Sequence, residues 1–161
     1  MTISIHAIAD CFILAVDRST GDNINTFKLQ KLVYYAQVWH LALHGEPLFS
    51  NDIEAWVHGP VCIELHQRFR DQKDIPIEPD AIITDINQLD SNTREFLDEV
   101  WAVYGQYSVA RLEKMTHEES PWLEARAKLP ADIRGCNVIN QESMRKFYSS
   151  RMTARRRIRE N

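Results

Sequence analysis

Two histidines, His40 and His44, stand four residues apart. On one helix that spacing turns both rings to the same side, where they could share a metal ion. The zinc-hydrolase pattern needs a glutamate directly after the first histidine, and Leu41 stands there instead. A third ligand would have to come from His58 or Glu46. The plainer expectation is a helix end, with His40 half-buried and His44 beside the negative pole of the helix dipole. No metal site is expected. His117-Glu118-Glu119 sets an acid/base group beside two carboxylates. Neighbours on a helix point apart, so the three are expected to mark a helix junction, with acids just before the Ser120-Pro121 helix start. Cys62 follows Pro60 at an expected helix N-terminus, a place that can lower a thiol pKa. A nucleophile also needs a base and an orienting group, and His58 is the one candidate nearby. A buried, inert thiol is the expectation. The chain has no GxxxxGK[ST], GxGxxG or GxSxG pattern. No catalytic residue and no cofactor are expected, and binding rather than catalysis is the expected mode of action.

Aromatic and basic residues offer a second kind of chemistry. Trp39, Trp56, Trp101 and Trp122 are core material by default. Tyr34, Tyr35, Trp39 and Trp56 could instead form an aromatic platform for a partner, because such residues dominate interface hot spots. The net charge is −4. From Arg145 onward there are seven Lys or Arg and one acid, so this end carries +6 and residues 1–144 carry −10. The acidic body repels nucleic acid on average. The tail residues Arg155, Arg156, Arg157 and Arg159 suit phosphate contact, and could equally fold back or touch a partner.

These residues need a frame. A chain of 161 residues has the length of one domain, and 44% hydrophobic with 26% charged residues is globular composition. Cys11, Cys62 and Cys136 are odd in number and widely spaced, which favours reduced thiols in a cytoplasmic protein. No apolar run reaches membrane-spanning length, and the first apolar stretch contains Asp10, so neither a membrane span nor a secretory signal is expected.

Helical spacing of Ile5, Ile8, Phe12, Ile13 and Val16 predicts a first helix over 4–19, with Asp10, Asp17 and Arg18 off its apolar stripe. Thr26 is expected to cap a long second helix that Gly45 ends. It is apolar nearly all round, which marks a buried central helix. Gln30, Gln37 and His44 are expected to be its wet edge. Ile53, Ala55 and Val57 alternate as a short strand, with Leu48-Phe49 as the expected partner strand. Gly59-Pro60 is expected to break the strand and open a third helix ending near Gln72. Residues 74–91 are expected to be a flexible loop. Further helices are expected after Asn92 or Thr93, after Ser108, after Ser120-Pro121, and over 141–152. The fold expected is mainly α: one compact domain of about six helices around the central helix, with a small two-stranded β element. Residues 1–152 form that domain and 153–161 a basic, flexible tail.

Certain segments are more specific than periodicity. Lys28-Leu29-Gln30-Lys31-Leu32-Val33-Tyr34-Tyr35-Ala36-Gln37, Trp39-His40-Leu41, Pro47-Leu48-Phe49 and Glu54-Ala55-Trp56-Val57-His58-Gly59-Pro60-Val61 form one ordered signature. Leu112, Thr116-His117-Glu118 and Pro121-Trp122 form a second. Together they resemble the Panacea domain, the SocA-like or GepA-like antitoxins, over about residues 26–126. The resemblance implies an antitoxin of a bacterial or phage toxin–antitoxin system that neutralises its toxin by direct binding. One branch of the family acts as an adaptor delivering its toxin to a cytoplasmic AAA+ protease. No cofactor is implied. The signature residues carried over are Lys28, Leu32, Tyr34, Tyr35, Trp39, Trp56, Gly59, Pro60, Thr116, His117 and Trp122. Trp56 with the Gly59-Pro60 turn would fix the ribbon on the central helix, and His117 with Trp122 would lock a helix corner beside it. His58 departs from the expected pattern.

The expected function is therefore neutralisation of a cognate toxin encoded by an adjacent gene, either by masking it or as a proteolytic adaptor. The alternative is a nucleic-acid-binding regulator that uses the basic tail.

Overall fold

The computed structural model describes the backbone of residues 2–160 and side chains through Met152. Its seven α-helices and one small antiparallel hairpin enclose a continuous apolar core.

Helix α1 (Ile5–Ala15) starts where the Ser4 hydroxyl accepts from the His6 amide. It buries Ile5, Ile8, Ala9, Phe12 and Ile13. Helix α2 (Thr26–His44) is the axis of the fold and packs against α1 and four later elements. Asn25, not Thr26, is its cap, accepting from the Lys28 amide. Gly45 ends it in the left-handed region at φ 74°, where its N–H reaches Leu41 O.

The polar line along α2 is not wet. Gln37 is fully buried, donating to Phe49 O and accepting from the Leu48 and Phe49 amides. Gln30 likewise donates to Cys62 O and accepts from the Cys62 amide. Each glutamine satisfies backbone that forms no ladder of its own, which is how a primary amide is tolerated in a core. Only His44 of the three is exposed.

The β element differs from expectation. Strand β1 (Glu54–Trp56) pairs with β2 (Gly59–Val61) in the register Glu54↔Val61, Ala55↔Pro60, Trp56↔Gly59. Gly59-Pro60 therefore makes the return strand rather than a helix start, and Leu48-Phe49 is not a strand. Val57 and His58 turn the chain without positive φ, and the first residue of β2, Gly59, takes φ 122°, which favours glycine there. On the other side of β1, Ala55 N donates to Asn137 O and Ile139 N to Ile53 O. The connector before the last helix thus covers the β1 edge.

Helix α3 (Ile63–Arg68) begins at Cys62 and is shorter than expected. The stretch 74–91 is irregular but anchored. Ile77 is buried, its N–H donating to Ile24 O and its carbonyl accepting from Arg18. Asp10, expected off the apolar stripe, is fully buried. It pairs with Arg68 at 2.5 Å and accepts from the Ile83 amide and from the Thr84 amide and hydroxyl.

Helix α4 (Ser91–Tyr104) is capped by Asp90 and faces inward through Leu97, Val100 and Tyr104, leaving Val103 exposed. Helix α5 (Val109–His117) is capped by Ser108. Helix α6 (Ser120–Arg126) has Pro121 in its first turn. Helix α7 (Gln141–Glu160) lies along α2 and buries Met144 and Tyr148. It runs past Met152, where it was expected to end. The side chains of Arg155, Arg156, Arg157 and Arg159 lie outside the described residues. No helix among the described residues is long and apolar enough to cross a membrane.

Candidate functional site

The residues of the two signatures meet at three places. The first is a buried polar knot between α2, α6 and α7. Tyr34 and Tyr35 on α2 and Tyr148 on α7 all donate to the carboxyl of Glu119, which is 1% exposed. Arg151 stands 3.8 Å from it. Burial pushes the Glu119 pKa up to about 7, against the tyrosine hydrogen bonds and Arg151, which lower it. Tyr35 stacks on Tyr104 at 4.0 Å, and the Trp39 indole N–H donates to the Tyr104 hydroxyl at 2.6 Å. Tyr34 and Tyr35 thus lie in the interior, and Trp39 is half-buried at its edge. No aromatic platform made of these three faces solvent.

The second place is the corner where the hairpin meets α5 and α6. The Trp122 indole N–H donates to Trp56 O at 3.0 Å, and the His117 ring stacks on Trp122 at 4.1 Å. A side chain at Gly59 would meet the Thr116 hydroxyl at 3.1 Å and Lys31 Cε at 3.6 Å. Thr116 is fully buried and donates to Glu113 O. Pro60 is buried on β2, the strand opposite the connector side, where its missing N–H breaks no ladder. Arg126 also holds this corner, through Ala55 O, Pro130 O and Ile133 O. Burial lowers the His117 pKa, which favours a neutral ring. Lys28, at the start of α2, donates to Gly105 O at 2.6 Å and ties α2 to the end of α4.

The third place is a half-open groove of about 1000 Å³. It is lined by the first turns of α2, by the hairpin, by His66 of α3 with the segment that follows that helix (69–74), and by residues 134–136. Phe27, Trp56 and Phe69 give it apolar surface, and Lys31, Arg70, Lys73 and Arg134 give it positive charge. Trp56 meets His66 edge-on at 4.9 Å, and Phe27 meets His58 at 6.5 Å. Lys31 is 2% exposed, with Nζ on Phe27 O. Its burial pulls its pKa down to about 8.

The chemistry-bearing candidates of the sequence resolve as follows. His40 donates through Nδ1–H to Glu46 O at 2.6 Å and packs on Phe96. His58 instead pairs with Glu113 at 3.0 Å. No group of three metal-ligating side chains occurs among the described residues. The Cys62 thiol donates to Glu64, and burial pushes its pKa up to about 12, unlike an activated nucleophile. Sequence reasoning missed Glu119, Asp10 and the basic groove residues. Lys31 carried a signal, as a cation on a helix apolar all round. Glu119 carried none, because its three partners come from distant segments.

The two signatures thus hold one hairpin on one helix. The antitoxin SocA-like Panacea domain matches residues 29–123, more than half of the chain, and the protein belongs to that family. Membership supports an antitoxin role in a toxin–antitoxin system and implies a toxin as partner. No curated protein and no solved structure matches the chain.

Proposed function

We propose that the chain neutralises a cognate toxin by direct protein–protein binding, in the cytoplasm, and that the toxin is the product of an adjacent gene. Binding, not catalysis, does the work. The observation that carries this reading is the match to the antitoxin family over residues 29–123, which spans both signatures except Lys28. Its physical support is the division of labour among those residues. Tyr34, Tyr35, Thr116 and Trp122 are spent on the interior, so the scaffold is fixed while the surface around it is free to fit a partner.

Neutralisation has two routes. The chain either covers the working surface of the toxin or carries it to a AAA+ protease as an adaptor. Toxin half-life separates them. In cells expressing both proteins, masking predicts a stoichiometric complex that co-purifies and a toxin half-life no shorter than that of the toxin alone. An adaptor predicts a half-life shortened several-fold and restored when the protease is deleted. Absence of any complex, with no change in half-life, would contradict both routes.

A further inference from the structure

The groove under the hairpin is set apart from the rest of the protein by charge. Residues 1–144 contain twelve Lys or Arg and 22 Asp or Glu. Four of those twelve cations line the groove, against one acid, Asp74. Several cations elsewhere are engaged: Arg68 by Asp10, Arg18 by Glu78, Arg126 by backbone carbonyls and Lys28 by Gly105 O. Arg70, Lys73 and Arg134 form no ion pair among the described residues. They stand over an apolar floor in which Phe27 is 40% exposed. A cationic rim around an aromatic base, on a body of net −10, is complementary to an anionic occupant with an apolar anchor.

We propose that this groove is where the partner binds, and that it takes an acidic segment of the toxin carrying an aromatic or aliphatic side chain. This inference rests on the antitoxin reading. Size and charge favour a protein segment over the other anions. The volume of about 1000 Å³ is at the upper end for a small-ligand pocket, and the groove is half open, which suits a chain laid through it. A nucleic acid would extend beyond the groove onto the acidic body within a Debye length, where it is repelled. The basic C-terminal residues carry the same sign as the groove and are not its occupant. The toxin's acidic side chains meet Arg70, Lys73 and Arg134 at the rim. Its apolar anchor meets Phe27 and Trp56.

Cys136 supplies a reporter, since its thiol is exposed on the groove wall. Cys62 is buried, and Cys11 is half-buried with a pKa pushed up to about 11. The test uses the full chain and the product of the adjoining reading frame, co-purified and treated with N-ethylmaleimide. Alkylation of Cys136 is read by mass spectrometry. Complex formation is expected to slow that alkylation at least about tenfold. The triple variant R70E/K73E/R134E is expected to weaken the complex at least about tenfold, and added salt to weaken the wild-type complex. R94E, outside the groove, is expected to bind as wild type. The urea midpoint of each variant checks that it is folded. A complex in which Cys136 reacts at its free rate and the triple variant binds normally would overturn the groove and leave the antitoxin reading standing. Absence of both a complex and relief of toxicity would overturn the two together. Protection of Cys136 by a nucleoside triphosphate mixture or a single-stranded oligonucleotide, and not by the partner protein, would also overturn the proposal.

Discussion

Glu119 is a carboxyl closed in by Tyr34, Tyr35 and Tyr148, with Arg151 at the rim. Its folded pKa of about 7 lies above its ordinary value of 4.5. The folded state therefore holds the proton more tightly than the unfolded chain, and this stabilisation is fully present below about pH 4.5. It is lost as pH rises from there through about 7. The loss amounts to at most about 3 kcal/mol. Burial lowers the pKa values of His6, His40 and His117, and these groups act in the opposite direction below pH 6.5. The clean observable is the stability of the wild type minus that of E119Q, by urea titration at several pH values, since the histidines cancel. That difference is expected to fall between pH 4.5 and 7 and then level off. A difference flat across this range would contradict the account. Nothing near Glu119 in sequence announces this role. An acid before Ser-Pro reads as a helix-dipole partner, and its tyrosines come from 85 positions upstream and 29 downstream.

At the scale of elements, the helices were legible because each carries its own punctuation. Gly45 and Ser108 act at the expected positions, while α4 is capped by Asp90, two residues before Asn92. The errors share one cause, which is long-range pairing. Gly59-Pro60 reads locally as a helix start, yet β1 offers it a partner and makes it a strand. Gln30 and Gln37 read as a wet edge, yet each is consumed by a neighbouring loop backbone. Residues 74–91 read as flexible, yet the Asp10–Arg68 pair reaches them through Ile83, Thr84 and Ala81 O. D10A would leave Arg68 without its countercharge and free the loop. It is expected to cost about 3–5 kcal/mol of stability. Hydrogen exchange is expected to show lost protection at the Ile83 and Thr84 amides before the rest of the fold opens. A cost under about 1 kcal/mol, with protection at those two amides unchanged, would contradict this role for Asp10.

For the whole molecule, the family signature proves to describe a scaffold more than a surface. Tyr34, Tyr35, Gly59, Pro60, Thr116 and Trp122 are buried, and Lys28, Trp39, Trp56 and His117 are half-buried. The fold and its antitoxin class were therefore readable from these residues, while the groove was not. Its cations are scattered over 31, 70, 73 and 134, and only the packing of the hairpin over α2 brings them to one place. The central claim is neutralisation of a toxin by this chain. It is tested most directly by growth. The adjoining reading frame is expressed alone, then together with this chain, in the same host. The account predicts arrested growth in the first case and restored growth in the second. Arrest that co-expression leaves unrelieved, or an adjoining product harmless on its own, would contradict it.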